Sequence, residues 1–247
     1  MSNNFELLTQ LEREAALFPP RSTNVAETPI DRSKAASDRL SDVPLEAGNL
    51  AHRLFLGDPA STPQVVLFAG AQTGAGCSWV CARTGEALAH RIPGSACIVD
   101  ANVRRPSMHR YFRLDNDRGM LDSLYEAAPI SDYVQKVTHH ELSVLTAGNV
   151  IPRGTTWDAD RLVERVAELR KLYSYVLIDS PSPNAFADVA MLAEVADGAI
   201  LVVDAESTHR EVAMQAKERL DDAKLRLLGA VLNRRRFPIP EFIYRRV

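Results

Sequence analysis

QVVLFAGAQTGAGCSW, residues 64–79, carries an apolar run into a glycine-rich turn and on into a helical stretch. The run from 64 to 69 is short, uncharged and partly β-branched, as expected of a strand buried on both faces. Glycines between a strand and a helix let backbone N–H groups curl around a phosphate, and the helix N-terminus adds partial positive charge. The phosphate-loop pattern is G-x-x-x-x-G-K-[ST]. Gly76 and Ser78 fill its last glycine and hydroxyl positions, Ala71 stands at the first glycine, and Cys77 stands at the lysine. On the pattern alone, a ligand-free strand–helix turn explains the stretch as well as a nucleotide site does.

Similar apolar runs follow at 95–100 (SACIVD), 175–179 (YVLID), 198–204 (GAILVVD) and 228–232 (LGAVL). Stretches of helical period separate them, such as 161–172 and 209–222. Strands of this kind alternating with helices predict a doubly wound α/β domain with a largely parallel sheet, P-loop NTPase-like. Asp100, Asp179 and Asp204 each end a run, where carboxylates face the ligand crevice of an open α/β sheet. Ser78 is placed to offer its hydroxyl to Mg²⁺, with Asp100 and Asp179 at strand ends as the candidate catalytic, metal-binding and Walker B carboxylates. Thr73, Gly74, Ala75, Gly76, Cys77, Ser78 and Trp79 form the candidate cradle for ATP or ADP.

The chain has 247 residues, room for one large α/β domain and a short appendage. A net charge of −3 excludes a nucleic-acid binder held by bulk charge. The odd count of three cysteines suits a reducing compartment and not a disulfide framework. Cys77, Cys81 and Cys97 lack a fourth ligand for a metal, and small buried residues explain them better. No apolar run reaches the roughly 18 residues needed to span a bilayer. The stretch MSNNFELLTQLERE lacks the basic and apolar regions of a signal peptide. The expectation is a cytoplasmic protein, peripheral to the inner membrane through a partner.

Two divisions are expected, 1–44 and 45–247. Residues 4–18 read as an amphipathic helix with Leu7, Leu8, Leu11 and Phe18 near one face. Pro19-Pro20 ends it, and 19–44 reads as a linker. A short helix is predicted over 45–54. His139-His140 precede a strand and read as a solvated edge. The last fourteen residues hold five arginines. Arg234-Arg235-Arg236 reads as a solvated face, or else as a contact for anionic headgroups or an acidic partner.

Five segments in order resemble the bacterial tyrosine kinases and their relatives in capsule and exopolysaccharide synthesis. They are Gly74-Ala75-Gly76-Cys77-Ser78, Asp100-Ala101-Asn102-Val103-Arg104-Arg105-Pro106, the stretch 142–148, Ile178-Asp179-Ser180-Pro181-Ser182, and Gly229-Ala230-Val231-Leu232-Asn233. The resemblance covers roughly 45–247. It implies nucleotide and Mg²⁺ binding, an adenine contact from Asn233, and docking on a membrane polysaccharide co-polymerase or chain-length protein.

The departures from the family pattern bear on chemistry. Cys77 replaces the lysine that neutralises β- and γ-phosphate charge. Its loss should cost about 2–4 kcal/mol of transition-state stabilisation, if it behaves like one oxyanion donor. Trp79 stands where the family has a small hydroxyl residue, and a bulky indole would crowd the α-phosphate. Asn102 replaces the aspartate that helps activate the attacking hydroxyl, and an amide is a poor base. The tyrosine cluster is reduced to Tyr244. The ring-forming E-x-x-R-x-x-R pattern is reduced to Glu46, Asn49 and His52, so a monomer or dimer is expected in place of a larger homo-oligomer. The expected function is regulatory, that of a catalytically impaired pseudokinase. The alternatives are an active tyrosine autokinase and a partition-type membrane-positioning ATPase. The latter would want a lysine early in the loop, where Gln72 stands.

Overall fold

The computed structural model describes residues 45–56, 62–91, 94–137, 141–148, 157–185 and 188–235. The amphipathic helix and linker expected before 45, His139-His140, and the tail from 236 with Tyr244 lie outside the described residues. The helices are α1 (Leu45–Phe55), α2 (Cys77–Arg91), α3 (Met108–Phe112), α4 (Met120–Tyr125), α5 (Ala159–Leu172), α6 (Asp188–Val195) and α7 (Arg210–Asp222). The strands are β1 (Val65–Gly70), β2 (Ala96–Asp100), β3 (Val134–Lys136), β4 (Leu142–Leu145), β5 (Tyr175–Ser180), β6 (Gly198–Asp204) and β7 (Leu227–Asn233). A single turn of 3₁₀ helix, Ile130–Asp132, leads into β3.

The sheet has seven strands in the order β3-β4-β2-β5-β1-β6-β7. Every neighbouring pair is parallel except the edge pair β3 and β4. β1 lies deep in the sheet, and all six of its residues are buried. Its alternate side chains enter two separate cores. Val66 and Phe68 pack with Ala51, Leu54, Phe55, Val80 and Leu88 from α1 and α2. Val65, Leu67 and Ala69 pack with Leu162, Val166, Leu192 and Leu220 from α5, α6 and α7. A strand covered on both faces cannot alternate polar with apolar, which is why residues 64–69 read as a continuous apolar run. The doubly wound, largely parallel fold expected from the sequence is the fold of the chain.

β1 is also where the winding reverses. The chain leaves β1 through α2 towards β2 and β4, then returns to β5 and crosses to β6 and β7 on the other side. The C-terminal ends of β1, β2 and β5 therefore border the crevice where such folds hold ligands. Element ends fall within about two residues of the expected ones, as fraying allows. β3, α3, α4 and α6 were not anticipated. β3 has three residues and α3 five, too few to show a period.

Candidate functional site

The loop after β1 is wound by two glycines in the left-handed region, Gly74 at φ 87° and Gly76 at φ 84°. That conformation turns successive N–H groups towards one concave side, a shape that receives anions, and only glycine adopts it without strain. Gly76 is required twice over, because a Cβ there would run into the side-chain amide of Asn233. Ala71 N–H bonds the Val202 carbonyl at 2.8 Å, and Ala75 N–H closes a turn on Gln72 O at 3.2 Å. Ser182 Oγ and Asn184 Nδ2 both donate to Ala71 O, at 3.3 and 3.0 Å. The loop's start is thus tied to β6 and to the segment after β5. α2 begins at Cys77 and aims its N-terminus at the cradle.

A cleft of about 330 Å³ opens over this loop. Thr73, Gly74, Ala75, Gly76, Cys77, Ser78 and Trp79 all line it, with Asn102, Arg105, Ser107, Ser180 and Arg234. Trp79 is 44% exposed and also borders a second cavity of roughly 600 Å³. Leu50 of α1, Arg83, Leu232 and Asn233 line that second space. The Arg83 guanidinium lies 5.7 Å from the Trp79 ring centre and 5.8 Å from that of Tyr111, so the indole is braced by a stacked cation.

The two strand-end carboxylates are neighbours in register across β2 and β5 but do different things. Asp100 accepts backbone N–H from Asn102 at 3.2 Å, and from Ser107 and Met108 at 2.9 Å each. It holds the turn that starts α3. Asp179 is fully buried, and neither of its oxygens has a hydrogen bond of full geometry among the described residues. Burial, and then the charge of Asp100, push its carboxyl up to about 8, while Ser78 and Cys77 facing it act the other way. Burial raises Asp100 as well. A buried carboxylate without donors, faced by a hydroxyl at the edge of a phosphate cradle, has the chemistry of a Mg²⁺ site completed by phosphate oxygens. Ser78 and Asp179 fit that ion. Asp100 fits only as an outer partner, its oxygens being committed to backbone.

Cys77 cannot replace a lysine. Burial and the adjacent Asp179 drive its thiol well above the usual range, so it stays neutral. Cys81 and Cys97 are buried and free, and no cluster of three His, Cys, Asp or Glu side chains among the described residues is arranged to hold a metal alone. Asn233 Nδ2 donates to Ala75 O at 2.9 Å, so its amide holds the loop while also bordering the second cavity.

Arg234, the first of the arginines after β7, is exposed as expected of a solvated face, and it is also tied to the phosphate loop. Its Nη1 bonds Asp204 Oδ2 at 2.8 Å and Gly74 O at 3.1 Å, so the side chain turns onto the loop. No motif marks that approach; the only signal was the aspartate ending the run at 204. Gln72, at the early lysine position of partition-type loops, donates to Ser207 Oγ at 3.0 Å. Glu46, Asn49 and His52 share an exposed stripe of α1.

The cleft, the left-handed loop and the buried carboxylate together make a P-loop-type site on a doubly wound sheet. The chain is 34% identical over 137 residues to the tyrosine-protein kinase YwqD of Bacillus subtilis, covering 55% of this chain and 58% of that protein. It is 31% identical over 138 residues to the putative tyrosine-protein kinase CapB of Staphylococcus aureus, covering 56% and 60%. The chain thus spans less than two thirds of the length of these curated relatives. The solved structure of the chimerical protein CapA2B2 superposes with a TM-score of 0.73 at 25% identity, over 78% of this chain and 85% of that one. MinD of Aquifex aeolicus shares the fold, with a TM-score of 0.59 at 22% identity over 74% and 72%. No family model matches the chain. The chain has the fold of these proteins and is similar in sequence to bacterial tyrosine-protein kinases.

Proposed function

We propose that this protein is a regulatory subunit of capsule or exopolysaccharide assembly that binds Mg-nucleotide weakly and transfers no phosphate. The observation that carries this reading is a complete phosphate cradle whose lysine position holds a neutral thiol. Phosphoryl transfer depends on positioning and on cations that spread the developing charge. Here the loop and Asp179 supply the positioning, and the helix-borne cation is gone. Asn102 lines the cleft where the family has a carboxylate, so the attacking hydroxyl also lacks its base.

A subunit that binds without transferring signals through the shape of its loop. Mg²⁺ would sit between Ser78, Asp179 and the phosphates. Its charge would favour the ionised form of Asp179 and draw the start of α2 towards the ligand. Among the described residues no helix is long and apolar enough to cross a membrane, so the proposed site of action on the inner face of the membrane requires a partner. We take that partner to be a membrane co-polymerase that sets chain length.

The partner reading is tested by cell fractionation. The protein should sediment with membranes when such a co-polymerase is co-produced and stay in the supernatant when it is not. Deleting residues 1–20 should weaken the association more than changing Arg245 and Arg246 to alanine, because a buried apolar stripe is the more specific contact. Membrane association that persists without any co-polymerase would overturn docking in favour of direct lipid binding.

The partition-type alternative receives no support from the loop. Gln72 is engaged with Ser207 and carries no charge to offer a second subunit's nucleotide.

A further inference from the structure

The cleft has lost its lysine, yet two cationic side chains line it, Arg105 and Arg234. Arg105 is exposed on the loop after β2. Arg234 is the one already in contact with the phosphate loop, through Gly74 O. Three features place its guanidinium there. Asn233 is fastened to Ala75 O, which brings the end of β7 against the loop. Arg234 itself takes the left-handed conformation, φ 57°, which a non-glycine residue adopts at a cost of about 1 kcal/mol. The buried Asp204, at the end of β6, accepts from the same guanidinium nitrogen, Nη1, that reaches Gly74 O.

A guanidinium presents five donors in a planar fork, and one ion pair with one carbonyl does not exhaust them. The Arg234 side chain is 56% exposed and lines the cleft. A neutral carbonyl is a weaker partner for this cation than a phosphate oxygen would be. The fully buried Asp179, whose oxygens have no hydrogen bond of full geometry, faces Ser78 and Cys77 at the start of α2, so the same cleft borders a site for a divalent cation.

We propose that Arg234 is the phosphate-binding cation of this cleft, exchanging the Gly74 carbonyl for a terminal phosphate oxygen of a nucleoside di- or triphosphate. Charge lost from the start of α2 is thereby returned from the end of β7. The guanidinium remains clamped by Asp204 while it does so. The proposal rests on the reading that the cleft takes a nucleotide, and it names the residue that distinguishes a diphosphate from a monophosphate.

Calorimetric titration of the full chain with Mg-ADP and with AMP tests it. The variants are Arg234→Gln, which keeps a donor for Gly74 O but no charge, Arg234→Lys, and Asp204→Asn. Arg234→Gln should weaken Mg-ADP roughly tenfold or more and leave AMP within about twofold, as expected for loss of a charge-assisted contact to one phosphate. Arg234→Lys should recover part of the loss. Asp204→Asn loosens the clamp but leaves the cation, so it should weaken Mg-ADP less than Arg234→Gln does and lower the ADP-to-AMP ratio in the same direction. Wild-type ADP affinity in Arg234→Gln would overturn the proposal and leave the nucleotide reading standing. Equal losses for ADP and AMP in Arg234→Gln or in Asp204→Asn would make Arg234 a structural latch and also overturn it. No heat from wild type with millimolar Mg-ADP would sink the nucleotide reading and this proposal together. Should Arg234→Gln fail to fold, the ADP-to-AMP ratio of Arg234→Lys decides: an unchanged ratio contradicts the proposal and a reduced one supports it.

Discussion

Replacing Asp179 with asparagine is expected to stabilise the nucleotide-free protein at pH 8 and to abolish its response to Mg²⁺. The carboxyl is buried without donors beside Asp100, and its pKa is pushed up to about 8. In the unfolded chain an aspartate loses its proton near 4. Between those values the unfolded state releases a proton that the folded state keeps. The proton favours the folded state below the unfolded pKa, and its contribution is lost as pH rises towards 8. The slope is at most about 1.4 kcal/mol per pH unit, and relaxation of the site reduces the total. An asparagine never ionises. The variant should therefore melt higher than wild type at pH 8, by roughly 5 °C for about 2 kcal/mol, and the gap should close towards pH 4. Scanning calorimetry between pH 4 and 9 reads this directly. Parallel melting curves for the two proteins across that range would show that Asp179 is not held protonated. Mg-ADP should raise the melting point of wild type only.

The second large effect is expected from Cys77→Lys. The thiol is neutral and faces Asp179, at the start of the helix that points at the phosphate cradle. A lysine there would return a full charge to the loop and give Asp179 an ionic partner. Mg-ADP should bind roughly ten- to a hundredfold more tightly, about 1.4–2.7 kcal/mol. If binding improves only when Trp79→Thr is added, the indole and not the missing charge is the obstacle. If neither variant binds better than wild type, the cleft is closed by something other than these two residues, and the lysine account fails. Under the further proposal the gain should be larger in an Arg234→Gln background, where the site has no other fixed cation.

Much of this was legible in the sequence because burial on two faces leaves a strong mark. Residues 65–69 have no polar position, and Asp179 ends a run of the same kind, so both the sheet and its carboxylate show in the sequence. The glycines at 74 and 76 were legible for another reason. Their left-handed backbone excludes other residues, and two such positions before a helix start are seldom accidental. What could not be read is how polar groups are shared. Asp100 and Asp179 look alike as strand-ending aspartates. Only the fold shows that backbone N–H groups satisfy the first and leave the second without donors. The contact of Arg234 with the loop was hidden for a related reason. The arginine lies 160 positions from Gly74, and its direction depends on one left-handed residue at the end of β7. A run of arginines in sequence carries no record of that turn. β3 was invisible because three residues cannot show an alternation.

The account's central claim is that the cleft holds a nucleotide and leaves its phosphates intact. The most direct test incubates the purified chain with Mg²⁺ and ATP labelled on the γ-phosphate, then measures bound nucleotide, released phosphate and phosphotyrosine in one sample. The expected result is bound, intact ATP with almost no release and no phosphotyrosine. Robust turnover or tyrosine labelling that disappears in an Asp179→Ala variant would contradict it.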